Sequence, residues 1–134
     1  DKAIEELREV CVELVPQSIN LGLEKALEEV CRLLENNFDV EINRDLKPIQ
    51  MDRPSATSIF RFCQELLVSL VEDQHQDKLK LELVKSDSVL EFRVVVEKGA
   101  VFTQRIKSLQ TKVKTFGGKL ELEQDAMVVL SIQL

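Results

Sequence analysis

The order and periodicity of its segments predict that this 134-residue chain is α+β, a two-layer sandwich of a mixed five-stranded sheet with helices on one face, preceded by a further helix. Two observations carry the prediction. Five short segments alternate apolar and polar residues, the pattern of strands with one buried face. The helical segments each carry a single apolar stripe, so each packs on one side only. The order is helix, helix, strand, helix, strand, strand, helix, strand, strand, and no internal repeat or low-complexity segment interrupts it.

Residues 2–15 read as a helix, with Ile4, Leu7, Cys11 and Leu14 at heptad spacing. So short a stripe suits either a coiled-coil pairing or packing on the rest of the domain. Pro16 ends it, because a proline ring and its missing N–H disrupt a continuing turn. A second helix spans 21–36, with Leu23, Ala26, Leu27, Val30, Cys31 and Leu34 on one stripe and Asn36–Asn37 as the stop. Phe38, Val40 and Ile42 alternate with polar neighbours as a strand, and 44–53 read as a polar loop containing Pro48. The helix over 54–73 is the clearest element. Pro54 suits its first turn, and Ala56, Ile59, Phe60, Cys63, Leu66, Leu67, Leu70 and Val71 form its buried face. Arg61, Glu65, Ser69 and Glu72 occupy the opposite side.

Leu79, Leu81 and Leu83 mark the next strand, Ser86–Asp87–Ser88 the turn, and Leu90, Phe92, Val94 and Val96 its partner. A helix over 101–116 carries Phe102, Ile106, Leu109, Val113 and Phe116 on one stripe. Gly117–Gly118 caps it, since glycine accepts the left-handed conformation found there. A hairpin of strands 119–123 and 127–134 closes the chain.

Composition excludes several function classes. Hydrophobic residues make up 44% and charged residues 31%, too apolar a balance for disorder. Trp and Tyr are absent and the net charge is −6, which argues against base stacking, against binding to a phosphate backbone and against an anionic membrane surface. Cys11, Cys31 and Cys63 are widely spaced among apolar neighbours and read as free thiols of a reducing, cytoplasmic compartment. With His75 the only histidine and no ligand-like spacing, no metal site is expected. No apolar run is long enough for a membrane helix. The chain opens on Asp1 within a helical pattern, so we expect a piece of a longer protein, one whose missing part has room for a membrane segment.

Local words then point to a family. Leu14–Val15–Pro16 and Leu21–Gly22–Leu23 resemble the connection between the dimerisation helix and the ATP-binding domain of bacterial sensor histidine kinases. Phe60, Arg61, Gln64 and Glu65 match the helix that in those kinases carries a Mg²⁺-binding Asn, and Gly117, Gly118, Leu120 and Leu122 match the closing Gly-Gly hairpin. The chain thus resembles the histidine kinase-type (GHKL) ATPase fold along its whole length. On that resemblance 1–16 are the end of a dimerisation-type helix with its linker, and 17–134 are the ATPase-like domain.

The phosphate-handling positions depart from the pattern. Ser69 stands at the family's Asn, Glu72 at its Lys and Asp73 at its His. A serine is too short to reach the metal, and the two acids repel a triphosphate. The Asp-x-Gly-x-Gly motif maps onto Glu97, Lys98, Gly99, Ala100 and Val101, where the second glycine has become β-branched. The lid is gone, and Arg105 stands where its last glycine belongs.

The resemblance therefore implies a degenerate domain with no catalytic residue, no metal and no cofactor, ATP and Mg²⁺ binding both being lost. Glu65, Ser69, Glu97 and Gly99 are its vestigial site positions. Glu65 reads as a solvated or hydrogen-bonded helix residue rather than a surviving base, Glu97 and Gly99 as a plain turn, and His75 as a loop residue rather than a phosphoacceptor. The expected function is a non-catalytic regulatory or protein-interaction module in two-component-type signalling. A protein partner or a second copy is expected at helix 2–15, and an exposed Glu65/Ser69/Glu72 face is a second candidate contact. The competing readings are an active sensor kinase with an atypical nucleotide site and an unrelated two-layer sensor or adaptor.

Overall fold

The computed structural model describes residues 19–124 and 126–134; the expected helix over 2–15, Cys11 and Pro16 lie outside them. A short 3₁₀ turn, Ile19–Leu21, leads into α1 (Leu23–Asn37), β1 (Glu41–Leu46), α2 (Arg53–Glu72), β2 (Lys78–Ser86), β3 (Val89–Val96), α3 (Gln104–Thr115), β4 (Gly118–Glu123) and β5 (Met127–Gln133). The five strands form one sheet in the order β1-β2-β3-β5-β4. β1 runs parallel to β2, and the other pairs are antiparallel. The expected mixed sheet is present.

Register aligns the inner face. Ile42 stands beside Leu79, Leu79 beside Val96, Leu81 beside Val94, and Leu83 beside Phe92. Phe92 and Val94 continue through Leu130 and Val128 to Leu120 and Leu122. All but Leu122, which is half-buried, are buried in one core with Leu27, Cys31 and Leu34 of α1, Phe60, Cys63, Leu66 and Leu67 of α2, and Ile106, Leu109 and Val113 of α3. The other face carries Lys80, Glu82, Glu91, Arg93, Lys119 and Glu121, none of them buried, as the two-residue period requires.

Local chemistry sets the helix ends. Asp52 accepts a hydrogen bond from Ser55 N at 3.1 Å and Pro54 follows in the first turn, so α2 starts where an unpaired N–H has a partner or is missing. Thr103 does the same for α3 through Ile106 N. Gly117 has φ +93° after α3, the left-handed exit expected of it. Gly118 is required by contact instead, because a Cβ there would lie 2.7 Å from Ser131 O and 2.9 Å from Val113 Cγ1.

Two boundaries differ from expectation. The first strand begins at Glu41 and runs on to Leu46, through residues that read as loop. Arg44 disguised it. It stands on the inner face beside Leu81, with its charge met by α1: Nε and Nη2 donate to Glu28 at 2.9 and 2.8 Å, and Nη1 to Glu35 at 2.7 Å. The last helix starts at Gln104, not 101, because Thr103 caps it and Val101 is drawn into the loop. Phe116 caps the far end, half out of the core, with its ring edge-on to Phe62 at 5.5 Å.

Arg44 bridges two layers, so its removal takes the shared cation from Glu28 and Glu35 and leaves Glu28 only its more exposed pair with Arg32. Arg44→Met should cost about 2 kcal/mol in urea unfolding. The hydrogen bond from Arg44 lowers the Glu28 pKa below its ordinary 4.5. The unfolded state therefore binds that proton more readily, and the stabilisation is complete above about pH 4.5 and lost as pH falls through the lower folded value. This acid-dependent component should shrink in Arg44→Met, with Arg32 left to hold the remainder. Burial raises the Cys31 thiol to about 12 and pushes Cys63 up as well, so a thiolate-seeking reagent should label both only on unfolding.

Candidate functional site

Residues four, seven and eight places apart on a helix share one face. Glu65, Ser69, Glu72 and Asp73 stand in that relation at the C-terminal end of α2. The parallel pairing of β1 and β2 places this end beside the start of β2. The end of β3 and the start of α3 meet it there, so the loop 97–103 closes over the same corner.

Two glutamines fasten that loop. Gln74 Nε2 donates to Val101 O at 2.6 Å, and its Oε1 accepts from Val101 N at 2.9 Å. Gln76 repeats the arrangement with Lys98, donating to its carbonyl at 2.9 Å and accepting from its N–H at 3.3 Å. Each side-chain amide pairs with a backbone peptide as a neighbouring strand would. His75 between them has φ +53°, and Gln76 is buried. A buried amide needs such partners, since an unmade hydrogen bond there costs more than a made one gains.

Thr103 then starts α3, which brings Arg105 back onto α2. Its Nε donates to Glu65 at 2.7 Å, and Nη1 lies 3.3 Å from Asp73 Oδ2 and 3.5 Å from Glu72 Oε2. Burial disfavours the guanidinium charge, but the Glu65 hydrogen bond and the charges of Glu65, Asp73 and Glu72 outweigh that, and its pKa is raised. Ser69 Oγ donates to Asp73 Oδ2 at 3.0 Å. Arg105 is thus the shared counter-ion of three carboxylates.

The expected contact face needs correction. Ser69 has no exposed surface at all, and Glu72 is largely covered. Serine is small enough to sink under the cluster, and Arg105 lies across the face that sequence reading left open. Glu65, still half exposed, is the hydrogen-bonded alternative of the sequence reading, paired with Arg105. Glu97 is exposed on the loop. A Cβ on Gly99 would meet nothing within 4 Å, and its φ lies outside the left-handed range, so neither contact nor conformation demands glycine there. The structure joins Glu65 and Ser69 through Arg105 and Asp73, and it brings neither Glu97 nor Gly99 into that network.

Sequence reading missed the glutamines and the pairing role of Arg105. A signal for the second was present: three acids on one helix face, then a single arginine near the start of the next helix. The glutamines looked like loop polarity, and only their burial tells them apart. Cavities of 660, 580 and 390 Å³ lie elsewhere, beside Gly22 and Ile49, between α3 and β4, and beside Met51 and Phe116. None of the three is lined by Glu65, Ser69, Glu97 or Gly99. Among the described residues no group of histidine, cysteine and acidic side chains is placed to hold a metal, and no helix is long and apolar enough to cross a membrane.

Arg105→Ala removes the counter-ion and leaves the three acids facing one another. We expect a loss of about 1–2 kcal/mol, nearer the lower figure because Glu65 is half exposed. Urea unfolding of the variant beside the parent chain checks this.

No protein-family model and no curated protein matches the sequence. Solved structures do. The blue-light activated histidine kinase EL346 of Erythrobacter litoralis superposes with a TM-score of 0.74 at 14% identity over 95% of this chain. The chain spans about half of that protein, 47% of its length. The histidine kinase AdeS of Acinetobacter baumannii gives 0.59 at 14% identity, over 80% of this chain and 62% of that one. The ATP binding domain of PrrB from Mycobacterium tuberculosis gives 0.54 at 13%, over 79% and 88%. The chain has the GHKL-type fold of histidine kinase ATPase domains.

Proposed function

We propose that the chain is a non-catalytic regulatory or protein-interaction module of two-component-type signalling, a cytoplasmic, bacterial domain that keeps the ATPase fold for protein contact. One observation carries this reading. The corner where the resemblance places phosphate handling is occupied by Arg105, bound to Glu65, Glu72 and Asp73 of the chain itself. A triphosphate arriving there has to displace three carboxylates from the cation they share, then lie against them. The serine at the metal-ligand position is buried and its hydroxyl is spent on Asp73. The two glutamine pairs hold the neighbouring loop onto the connection between α2 and β2, where a nucleotide needs room to enter.

The contact itself is assigned to the segment 2–15, pairing with a protein partner or a second copy. The Glu65/Ser69/Glu72 face, covered by Arg105, serves poorly. Isothermal titration of the chain with Mg-ATP should give no binding heat up to millimolar nucleotide. Micromolar affinity would overturn the proposal, as would phosphate on a histidine of a longer parent protein incubated with labelled ATP.

A further inference from the structure

The two edges of the sheet are not finished alike. Glu41 N donates to Asp77 O, so the odd residues of β1 bond β2 and Ile42, its side chain in the core, turns its N–H and C=O to the open edge. Side chains close that edge. Ile42 N donates to Glu35 Oε2 at 3.1 Å, and Ile42 O accepts from Arg44 Nη1 at 3.0 Å. The β1 edge is thereby closed at Ile42, by a carboxylate of α1 and by a guanidinium that α1 holds in place.

β4 differs. Val96 N donates to Ala126 O, so by the two-residue repeat Val94 bonds Val128 and Phe92 bonds Leu130. Leu130 and Val128 thus spend their backbone groups on β3. Lys119, Glu121 and Glu123 then hold β4 to β5, and Gly118, Leu120 and Leu122 turn their N–H and C=O groups to the open side. One of these groups shows the direction: Leu120 O accepts from Gln110 Nε2 of α3 at 2.7 Å. A groove of 580 Å³ runs beside it, lined by Gln110, Thr111, Lys114, Lys119, Leu120 and Glu121.

Charge singles out what fits. The chain carries a net −6, yet between Glu97 and Glu121 every charged residue is basic: Lys98, Arg105, Lys107, Lys112, Lys114 and Lys119. Arg105 is neutralised on α2. Lys107, Lys112, Lys114 and Lys119 are exposed and make no ion pair among the described residues. Lys107 and Lys114, seven residues apart, share the helix face that brings Thr111 to the groove. Glu121 and Glu123 stand on the opposite face of the sheet from α3.

We propose that this edge binds an extended acidic segment of a partner protein, which adds as a strand to β4 with alternate carboxylates facing the lysines of α3. Backbone pairing supplies the attachment and alternate side chains the selectivity. Gln110 occupies one of the pairing positions in the free chain and gives it up to a peptide N–H. The surface is separate from the Arg105 corner, so the outcome does not depend on whether the chain binds nucleotide.

The probe is a capped octapeptide alternating threonine and glutamate, titrated into the ¹⁵N-labelled chain, with the threonine–lysine peptide as control. We expect shifts and slowed hydrogen exchange at the Leu120 and Leu122 amides, weakening as salt rises. Lys107→Glu with Lys114→Glu should weaken binding about ten-fold or more, and Gln110→Ala should tighten it about three-fold by freeing the Leu120 carbonyl. Both sets of changes lie on exposed or half-exposed residues, and the unchanged spectrum elsewhere reports folding. Equal binding of the lysine peptide, shifts confined to other residues, or pairing of this edge with a second copy in place of the peptide would each overturn the proposal.

Discussion

Parallel strands cannot be joined by a tight turn, and that constraint organises this molecule. β1 and β2 run the same way, so the chain between them has to return the length of the sheet, which it does as α2. The C-terminal end of α2 then falls beside the start of β2 and the end of β3. Residues distant in sequence meet there: Glu65, Gln74, Lys98, Val101 and Arg105. No short-range preference assembles that corner. The crossover brings its parts together, and the buried inner face of the sheet keeps it from slipping, since a one-residue shift would turn Leu79, Leu81 and Leu83 out to water.

Within that frame the helices are tied down by two arginines acting in the same way. Arg44 rises from β1 to Glu28 and Glu35 of α1, and Arg105 reaches from α3 to Glu65, Glu72 and Asp73 of α2. Each is partly covered, and each faces more than one carboxylate. A desolvated cation is costly alone and favourable only when its donors are used. Both arginines use theirs, so they fix the direction in which apolar faces pack, a choice that hydrophobic burial by itself leaves loose. Their worth is modest beside the core, but their geometry is specific.

Much of the fold was legible because burial leaves a periodic trace. Leu79, Leu81, Leu83 and Leu90, Phe92, Val94, Val96 announce strands, and the stripe from Ala56 to Val71 announces a helix. Illegible stretches are those where a polar residue does an inward job. Arg44 hid the second half of β1, and Val101 and Phe102, apolar but held in a loop by Gln74 and Thr103, lengthened α3 in the reading. The site was half legible. Departures from the resembled pattern at Ser69 and Val101 show in the sequence, because those side chains differ in size from the ones it places there. The internal network at that corner does not show, because Gln74, Gln76 and Arg105 gain their meaning from partners 22 to 40 residues away in sequence.

That network bears on how the fold stands without a ligand. A domain whose loops are completed by a nucleotide draws stability from it by mass action, and loses it when the nucleotide leaves. Here the loop 97–103 is held by two amide–peptide pairs, and the acidic end of α2 by a guanidinium from the same chain. Every one of these contacts is present in the free protein. The corner is therefore held by contacts made within the chain. The two sheet edges are chemically unlike: at β1 side chains meet both backbone groups of Ile42, and at the lysine-flanked edge of β4 one glutamine meets the Leu120 carbonyl. An incoming strand displaces a carboxylate and a guanidinium at the first, and one glutamine at the second.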